Sequence, residues 1–419
     1  MKEEITFRMG VSTASLVALI LLAVTLIAMN INLANSLVVI SKPVAIDFYS
    51  RWLGARAYFL QGLNPYSGEV SEQIQRGIYG RPAQPGEDQF LFAYPFYTAF
   101  VIVPLAILPY TWAVTAWLAI LEFCLLGGFW LILDIHHWWP PPGLLAFMGL
   151  WTVLFYPHGR GLLLGQFAIP VFFLLALAVW GLARGHDGLA GVALALATIK
   201  PQVVILVIPF LLWWGGSQRR WRFIEGFGLA LATLIGASFL ALPGWLDDFA
   251  MQVVAYPGYT TYPPYILTSL PWVLTHLALP TLGTLGETAI TLVLLIGLAW
   301  AWWREARSDW ATFHWTLGLT LIVTNLIALR TTTTNYVVFL LVLVPLFRHI
   351  YRRAGAGALI GMQLTLLLGL WVLFWARGAG VPADLITFVA MPPLMLLALF
   401  WGRKALARPL QGMEGRETA

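Results

Sequence analysis

Charge is scarce in this chain. Lys, Arg, Asp and Glu make up 10% of its 419 residues and apolar types 60%, whereas soluble domains carry about 25% charged residues. No aqueous fold hides that much apolar surface, so a soluble globular protein is excluded. Alternation of apolar and polar residues is also missing. The apolar runs are continuous, which argues against barrel strands and fits helices of bilayer length. Cysteine occurs once, at Cys124 inside an apolar run, so it forms no internal disulfide and reads as a small core residue. The chain has no HExxH pair, no phosphate-binding P-loop and no dinucleotide glycine fingerprint. His136 and His137 stand side by side at a predicted membrane edge without a carboxylate pattern. We therefore expect no metal site, no cofactor and no nucleotide-linked donor. The net charge of +5 falls in short clusters between apolar runs, so it reads as topology and not as a nucleic-acid surface.

What is present is a series of long apolar segments. They predict an all-α polytopic membrane protein, a single integral domain over residues 1–419 with about twelve transmembrane helices. The spans fall near 11–33, 90–108, 111–133, 143–157, 166–183, 187–214, 223–243, 282–303, 311–329, 337–350, 356–375 and 385–402. The first follows Lys2 and Arg8 and resembles an uncleaved signal-anchor. Basic clusters orient the chain: Arg219, Arg220 and Arg222; Arg304 and Arg307; Arg348, Arg352 and Arg353; and Arg403, Lys404 and Arg408. Short basic loops stay in the cytoplasm, which places both termini there in a multi-pass cell-membrane protein. Segment 187–214 contains Lys200-Pro201 near its middle. Proline bends or breaks a helix, and a lysine at bilayer depth is costly. We read one kinked span; two half-length helices meeting at Lys200-Pro201 are the alternative, with Arg184 then inside.

Two long extracytoplasmic loops remain, 34–89 and 244–281, and loops of that length are often functional. In the first, Tyr49, Trp52, Leu53, Leu60 and the stem of Arg56 recur at helical spacing, with Ser50, Arg51 and Gln61 off the stripe. This predicts a helix lying flat at the membrane interface, ended by Gly62 and Asn64-Pro65. A second short helix is expected at about 69–78, then a mobile strap over 80–88. Asp47 stands at the start of the interfacial helix, where an acidic residue is also a natural N-cap or first-turn charge. The second loop holds the aromatic series Tyr256, Tyr259, Tyr262 and Tyr265.

An ordered set of short motifs runs through the N-terminal half: Ile46-Asp47-Phe48-Tyr49, Gly62-Leu63-Asn64-Pro65-Tyr66, Phe92-Ala93-Tyr94-Pro95, Leu108-Pro109, Gly165-Gln166 and Ile199-Lys200-Pro201. Over residues 40–225 the chain resembles the polyprenol-phosphate-mannose-dependent α-mannosyltransferases of the GT-C superfamily; beyond that the likeness is in hydropathy alone. It departs from them in Tyr94-Pro95-Phe96, where Tyr-Pro-Pro is frequent, and in Asn64, where an acidic residue often precedes Pro-Tyr. The resemblance implies a GT-C-like bundle with interfacial helices in the first outer loop. It also implies an inverting glycosyltransferase that takes mannose from a polyprenyl-phosphate lipid and hands it to a glycan or glycolipid acceptor on the extracytoplasmic side of the bilayer. Asp47 matches the family's catalytic base.

That chemistry needs a carboxylate within reach of the acceptor hydroxyl and cations for the leaving phosphate. Lys200 is the first choice of cation. Arg330 is the second, since it opens Arg330-Thr331-Thr332-Thr333-Thr334-Asn335-Tyr336, where Asn335 and the hydroxyls suit a sugar or phosphate. Gln166 is a candidate for sugar or phosphate, although the expected topology puts it nearer the cytoplasm unless 143–166 is partly re-entrant. Arg51 and Arg56 are candidates for the lipid-phosphate entrance and Tyr94 for sugar stacking. Glu122, in the middle of a span, is a candidate partner for Lys200 or Arg160. A transporter or flippase using Glu122 and Lys200 is the alternative function, and a non-catalytic envelope-assembly partner a third.

Overall fold

The computed structural model describes residues 13–37, 43–259, 269–305, 310–328, 332–376 and 381–403. Their regular secondary structure is helical. In chain order the helices are α1 (Thr13–Leu37), α2 (Ile46–Gln61), α3 (Gly68–Tyr79), α4 (Tyr97–Ala106), α5 (Tyr110–Ile135), α6 (Pro142–Leu154), α7 (Tyr156–Leu164), α8 (Ala168–Arg184), α9 (Asp187–Leu196), α10 (Pro201–Val204), α11 (Val207–Ser217), α12 (Trp221–Ala241), α13 (Trp245–Tyr259), α14 (Leu270–Val273), α15 (Gly283–Glu305), α16 (Trp310–Ile327), α17 (Leu340–Ala376) and α18 (Val381–Trp401). Short 3-10 segments cover Ala197–Ile199 and Thr333–Phe339, and a π-turn covers Leu274–Ala278. Among the described residues four helical stretches are long and apolar enough to cross a membrane: Tyr110–Ile135, Trp221–Ala241, Gly283–Arg304 and Thr333–Trp375. Several shorter apolar helices stand beside them. Helix α17 is broken at Gly355, whose φ of 81° suits a residue without Cβ, so it contains two of the expected apolar segments joined at Arg352-Arg353.

Contacts sort the helix ends into two groups. One end of the bundle carries α2, α3 and the start of α5, where the Tyr110 hydroxyl donates to the Val44 carbonyl. At the other end Asp134 of α5 takes hydrogen bonds from Trp180 and Arg184 of α8, at 2.8 and 2.5 Å. We call these the loop end and the far end.

Two expected spans are corrected. Residues 90–108 do not form one long helix. Helix α4 has 10 residues, about 15 Å at the α-helical rise, against about 30 Å of hydrocarbon. Pro104 lies within it and Pro109 precedes α5, and α4 lies along α2: Trp52 Nε1 donates to the Leu105 carbonyl at 3.0 Å, and Arg56 Nη1 to the carbonyls of Ala106 and Leu108 at 2.8 and 3.3 Å. Residues 187–214 are not one kinked span but two helical arms that meet at Lys200-Pro201, the alternative reading of that segment. Asp187 meets Arg220 at 3.4 Å, and Gly215 packs on Phe223, so both termini of the segment lie at the far end. Its tip is at the loop end, where the Tyr97 hydroxyl donates to the Thr198 carbonyl at 3.1 Å. Lys200 itself is extended (φ −127°, ψ 78°), because Pro201 offers no N–H and excludes α geometry before it. Gly191 sets the first arm of this hairpin against α12, since a Cβ there would meet the α12 backbone from Phe223 to Phe227.

Helix α2 also differs from its expected stripe. Ser50, read as off the stripe, is fully buried, and Leu60 is half exposed. The helix has two covered faces, one against α4 and α5, the other roofed by Val70, Ile74 and Ile78 of α3. The strap is tied down within the structure: Glu87 takes two hydrogen bonds from Arg81, at 2.7 and 2.8 Å, and a third from the Gln84 N–H. Gln75 of α3 receives the Ala83 N–H at 2.9 Å and donates to Gln89. In the second long loop, residues 260–268, which contain Tyr262 and Tyr265, and the side chains of Tyr256 and Tyr259 lie outside the described residues.

Candidate active site

The geometry begins with a glycine. Gly165 ends α7 at φ 69°, and a Cβ on it would lie 2.8 Å from the Cβ atoms of both Ala45 and Phe48. Its absence lets the α7–α8 turn press against the start of α2, so Gln166 arrives beside Asp47. Gln166 Nε2 donates to Asp47 Oδ2 at 2.5 Å, and Lys200 Nζ donates to Gln166 Oε1 at 2.7 Å. A carboxylate only accepts and an ammonium only donates, so an amide between them has one workable orientation. Gln166 thus stands at the same end of the bundle as Asp47, because α4 does not cross the bundle.

The first-turn position of Asp47 suggested a helix cap. Its carboxylate instead goes to Gln166, and the N-cap, Ala45 at φ 51°, contributes no side-chain hydrogen bond. Arg51, one turn on, donates from Nη1 to the Asp47 carbonyl at 2.9 Å and stands 3.7 Å from Asp47 Oδ1. Its guanidinium carbon lies 4.3 Å from the centre of the Tyr94 ring, within cation–π range. Tyr94 in turn packs on Phe167, ring centres 5.2 Å apart. Lys200 is 4% exposed, and the Asp47 and Arg51 side chains 22% and 11%, so Asp47 is the accessible member of a largely buried group. Burial lifts the Asp47 carboxyl above its ordinary value. Arg51 and Lys200 pull it down, Asp88 adds to the rise, and the Gln166 hydrogen bond opposes it. Loss of hydration is the larger influence because the charged form is the one that burial penalises.

Asp47, Gln166, Lys200, Arg51 and Tyr94 therefore come together. The others do not join this group or lie elsewhere. Arg56 caps the carbonyls at the end of α4 and packs over Trp52, where the helix C-terminus attracts a cation. Asn335 is buried in the segment Thr333–Phe339 against α7 and α8, with Oδ1 lacking a partner among the described residues. Arg330 falls outside the described residues. Glu122 faces Asn30 of α1, not Lys200 or Arg160. His136 packs on His314 at 4.8 Å between ring centres, and among the described residues no group of three or more His, Cys, Asp or Glu is arranged to hold a metal ion.

Several supporting residues were not singled out as site candidates in the sequence. The Tyr97 hydroxyl donates to the carbonyl of Thr198 and also reaches its hydroxyl at 3.0 Å, pinning the 3-10 turn two residues before Lys200. The Tyr66 hydroxyl holds the Tyr94 carbonyl at 2.6 Å. From α13, Asp248 takes the Asn64 amide at 2.7 Å, and Gln252 bonds both Ala93 and Tyr66. Tyr66 and Tyr97 lie in or beside the quoted motifs, but Asp248 and Gln252 sit in a stretch whose composition marks nothing.

This arrangement can take a proton at Asp47 and stabilise an anion beside Lys200 and Arg51. Searches among curated proteins and among solved structures return no match. The model of glycosyltransferase family 87 matches residues 92–324, more than half of the chain and a range that includes Tyr94, Gln166 and Lys200. With that match, the chain belongs to glycosyltransferase family 87.

Proposed function

We propose that this membrane glycosyltransferase transfers a sugar, mannose by resemblance, from a polyprenyl-phosphate lipid to a glycan or glycolipid acceptor at the extracytoplasmic face, with inversion and with Asp47 as general base. The observation that carries the reading is the Asp47–Gln166–Lys200 hydrogen-bond chain beneath the first loop. The acceptor oxygen attacks the anomeric carbon, and the bond from that carbon to the phosphate oxygen breaks, its electron pair leaving with the lipid phosphate. The acceptor proton passes to Asp47, through Oδ1, since Oδ2 is engaged by Gln166. Lys200 and Arg51 stabilise the charge that grows on the phosphate. A single base and one displacement give inversion at the anomeric carbon.

The membrane arrangement proposed with it is a GT-C-like bundle of twelve crossings: α1, α5, α6, α8, α9, α10 with α11, α12, α15, α16, the two halves of α17, and α18. The number equals that read from hydropathy because the loss of 90–108 is offset by the division of 187–217. Support comes from the basic residues. Arg184, Arg220, Arg304, Arg348 and Arg403 all fall at the far end in this path, and a cytoplasmic far end obeys the positive-inside rule. The first loop, α4 and α13 are then extracytoplasmic, and both termini cytoplasmic.

The test of donor class is transfer of radiolabel by the purified protein to a lipid extract of the native membrane, supplied either as polyprenyl phosphate mannose or as GDP-mannose. Labelled glycolipid from the first donor alone is expected. Transfer from the nucleotide sugar alone would overturn the lipid-donor reading.

A further inference from the structure

The second outer loop reaches the site through two side chains one turn apart on α13. Asp248 holds Asn64, and Gln252 holds two segments at once: its Oε1 accepts the Ala93 N–H at 3.0 Å, and its Nε2 donates to the Tyr66 carbonyl at 2.9 Å. Residues four apart share a helix face, so both anchors point at the first loop. The segments joined by Gln252 are closed on their other side by the Tyr66 hydroxyl on the Tyr94 carbonyl and by the edge of Tyr66 against Phe92, ring centres 5.3 Å apart. Ala93 has φ +40°, a left-handed conformation that costs an L residue energy and persists only where its surroundings hold it. The Gln252 amide receives the N–H of that residue. The next residue is Tyr94, whose ring carries Arg51, and Arg51 stands against Asp47.

We propose that Gln252 is a positioning residue: its amide holds Tyr94 under the Arg51 guanidinium and so keeps that cation against Asp47, which makes α13 the outer clamp of the active site. This rests on the reading of Asp47 as general base. The groups that face Asp47 are Arg51 on its own helix, Lys200 at the break between the 3-10 turn and α10, Gln166 on the α7–α8 turn, Asp88 on the strap, and Tyr94. When Tyr94 is loosened, Arg51 loses its platform and Asp47 loses part of the positive charge that favours its ionised form. Asp88 and burial then act with less opposition.

The experiment compares wild type, Gln252→Ala and Gln252→Glu in transfer from polyprenyl phosphate mannose across a pH series, with thermal unfolding measured alongside. The glutamate keeps an acceptor for Ala93 but sets an oxygen against the Tyr66 carbonyl, so it falls between the other two. In Gln252→Ala, kcat is expected to drop about tenfold through misplacement of the reacting groups. Its acid limb moves to higher pH, while donor KM and the unfolding temperature stay close to wild type. Wild-type kcat and acid limb in both variants would overturn the proposal, as would activity lost only in proportion to the unfolded fraction with the limb unmoved. A wild-type profile without any acid limb would instead overturn the assignment of the base itself, and the clamp proposal with it.

Discussion

At the scale of single residues, the candidate site is built around an amide that makes two hydrogen bonds. Gln166 donates to a carboxylate and accepts from an ammonium, and no other neutral side chain of that length offers both. Gln166→Glu keeps the size and reverses the donor, setting two carboxylates together. Transfer is expected to fall by about 100-fold, the scale of a misplaced catalytic group, with Gln166→Asn retaining more; equal rates in Gln166→Glu and wild type would remove the amide from the account. The same environment predicts a pH profile. A general base works only when ionised, and burial raises the Asp47 carboxyl above its ordinary 3.8, so the rate should climb with pH through a limb above that value. Arg51→Gln removes the cation that most lowers it and should move the limb further up, which a kcat-against-pH series will read. Asp47 was legible in the sequence through the motif resemblance, and Lys200 through that and because a charge inside an apolar run asks for a reason. Gln252 and Tyr97 were not, since a polar residue on a loop helix and an aromatic among many aromatics stand out only once their partners are in place.

At the scale of elements, hydropathy located the apolar segments well and their paths less well. Segments near 111–133, 223–243, 282–303 and 311–329 became α5, α12, α15 and α16 with ends moved by a few residues. The failures have one cause: an apolar run reports what surrounds a helix and not which way it runs. Helix α4 is apolar because it packs on α2 at the loop end, with Ala99, Ile102 and Ala106 fully buried. The hairpin 187–217 reads as a single run because both of its arms are apolar and only Lys200-Pro201 marks the tip. Labelling single engineered cysteines from either side of sealed vesicles tests this path, since the native Cys124 is buried. Gly188→Cys and Gln218→Cys should react from the same side, and Glu72→Cys on α3 from the opposite one. Reaction of Gly188→Cys and Gln218→Cys from opposite sides would restore the single kinked span.

At the scale of the whole molecule, the family and the geometry support each other from different parts of the chain. The family match covers residues 92–324, while Asp47 and Arg51 precede it and reach the same site through Gly165 and Gln166. Helices α5 to α12 thus supply Gln166 and Lys200, the first loop supplies Asp47 and Arg51, the segment before α4 supplies Tyr94, and α13 bonds to both of those segments. An apolar bundle of this kind gives a buried cation and a partly exposed carboxylate a common, water-poor setting, where charge stabilisation is stronger than in water. The central claim is that Asp47 takes the acceptor proton. Its most direct test is the single-turnover rate of sugar transfer from polyprenyl phosphate mannose by Asp47→Asn, at saturating donor and with unfolding temperature and donor binding matched to wild type. A rate lower by about 100-fold to 10,000-fold is expected, with donor still bound; transfer by the asparagine variant at the wild-type rate would contradict a general-base role for Asp47.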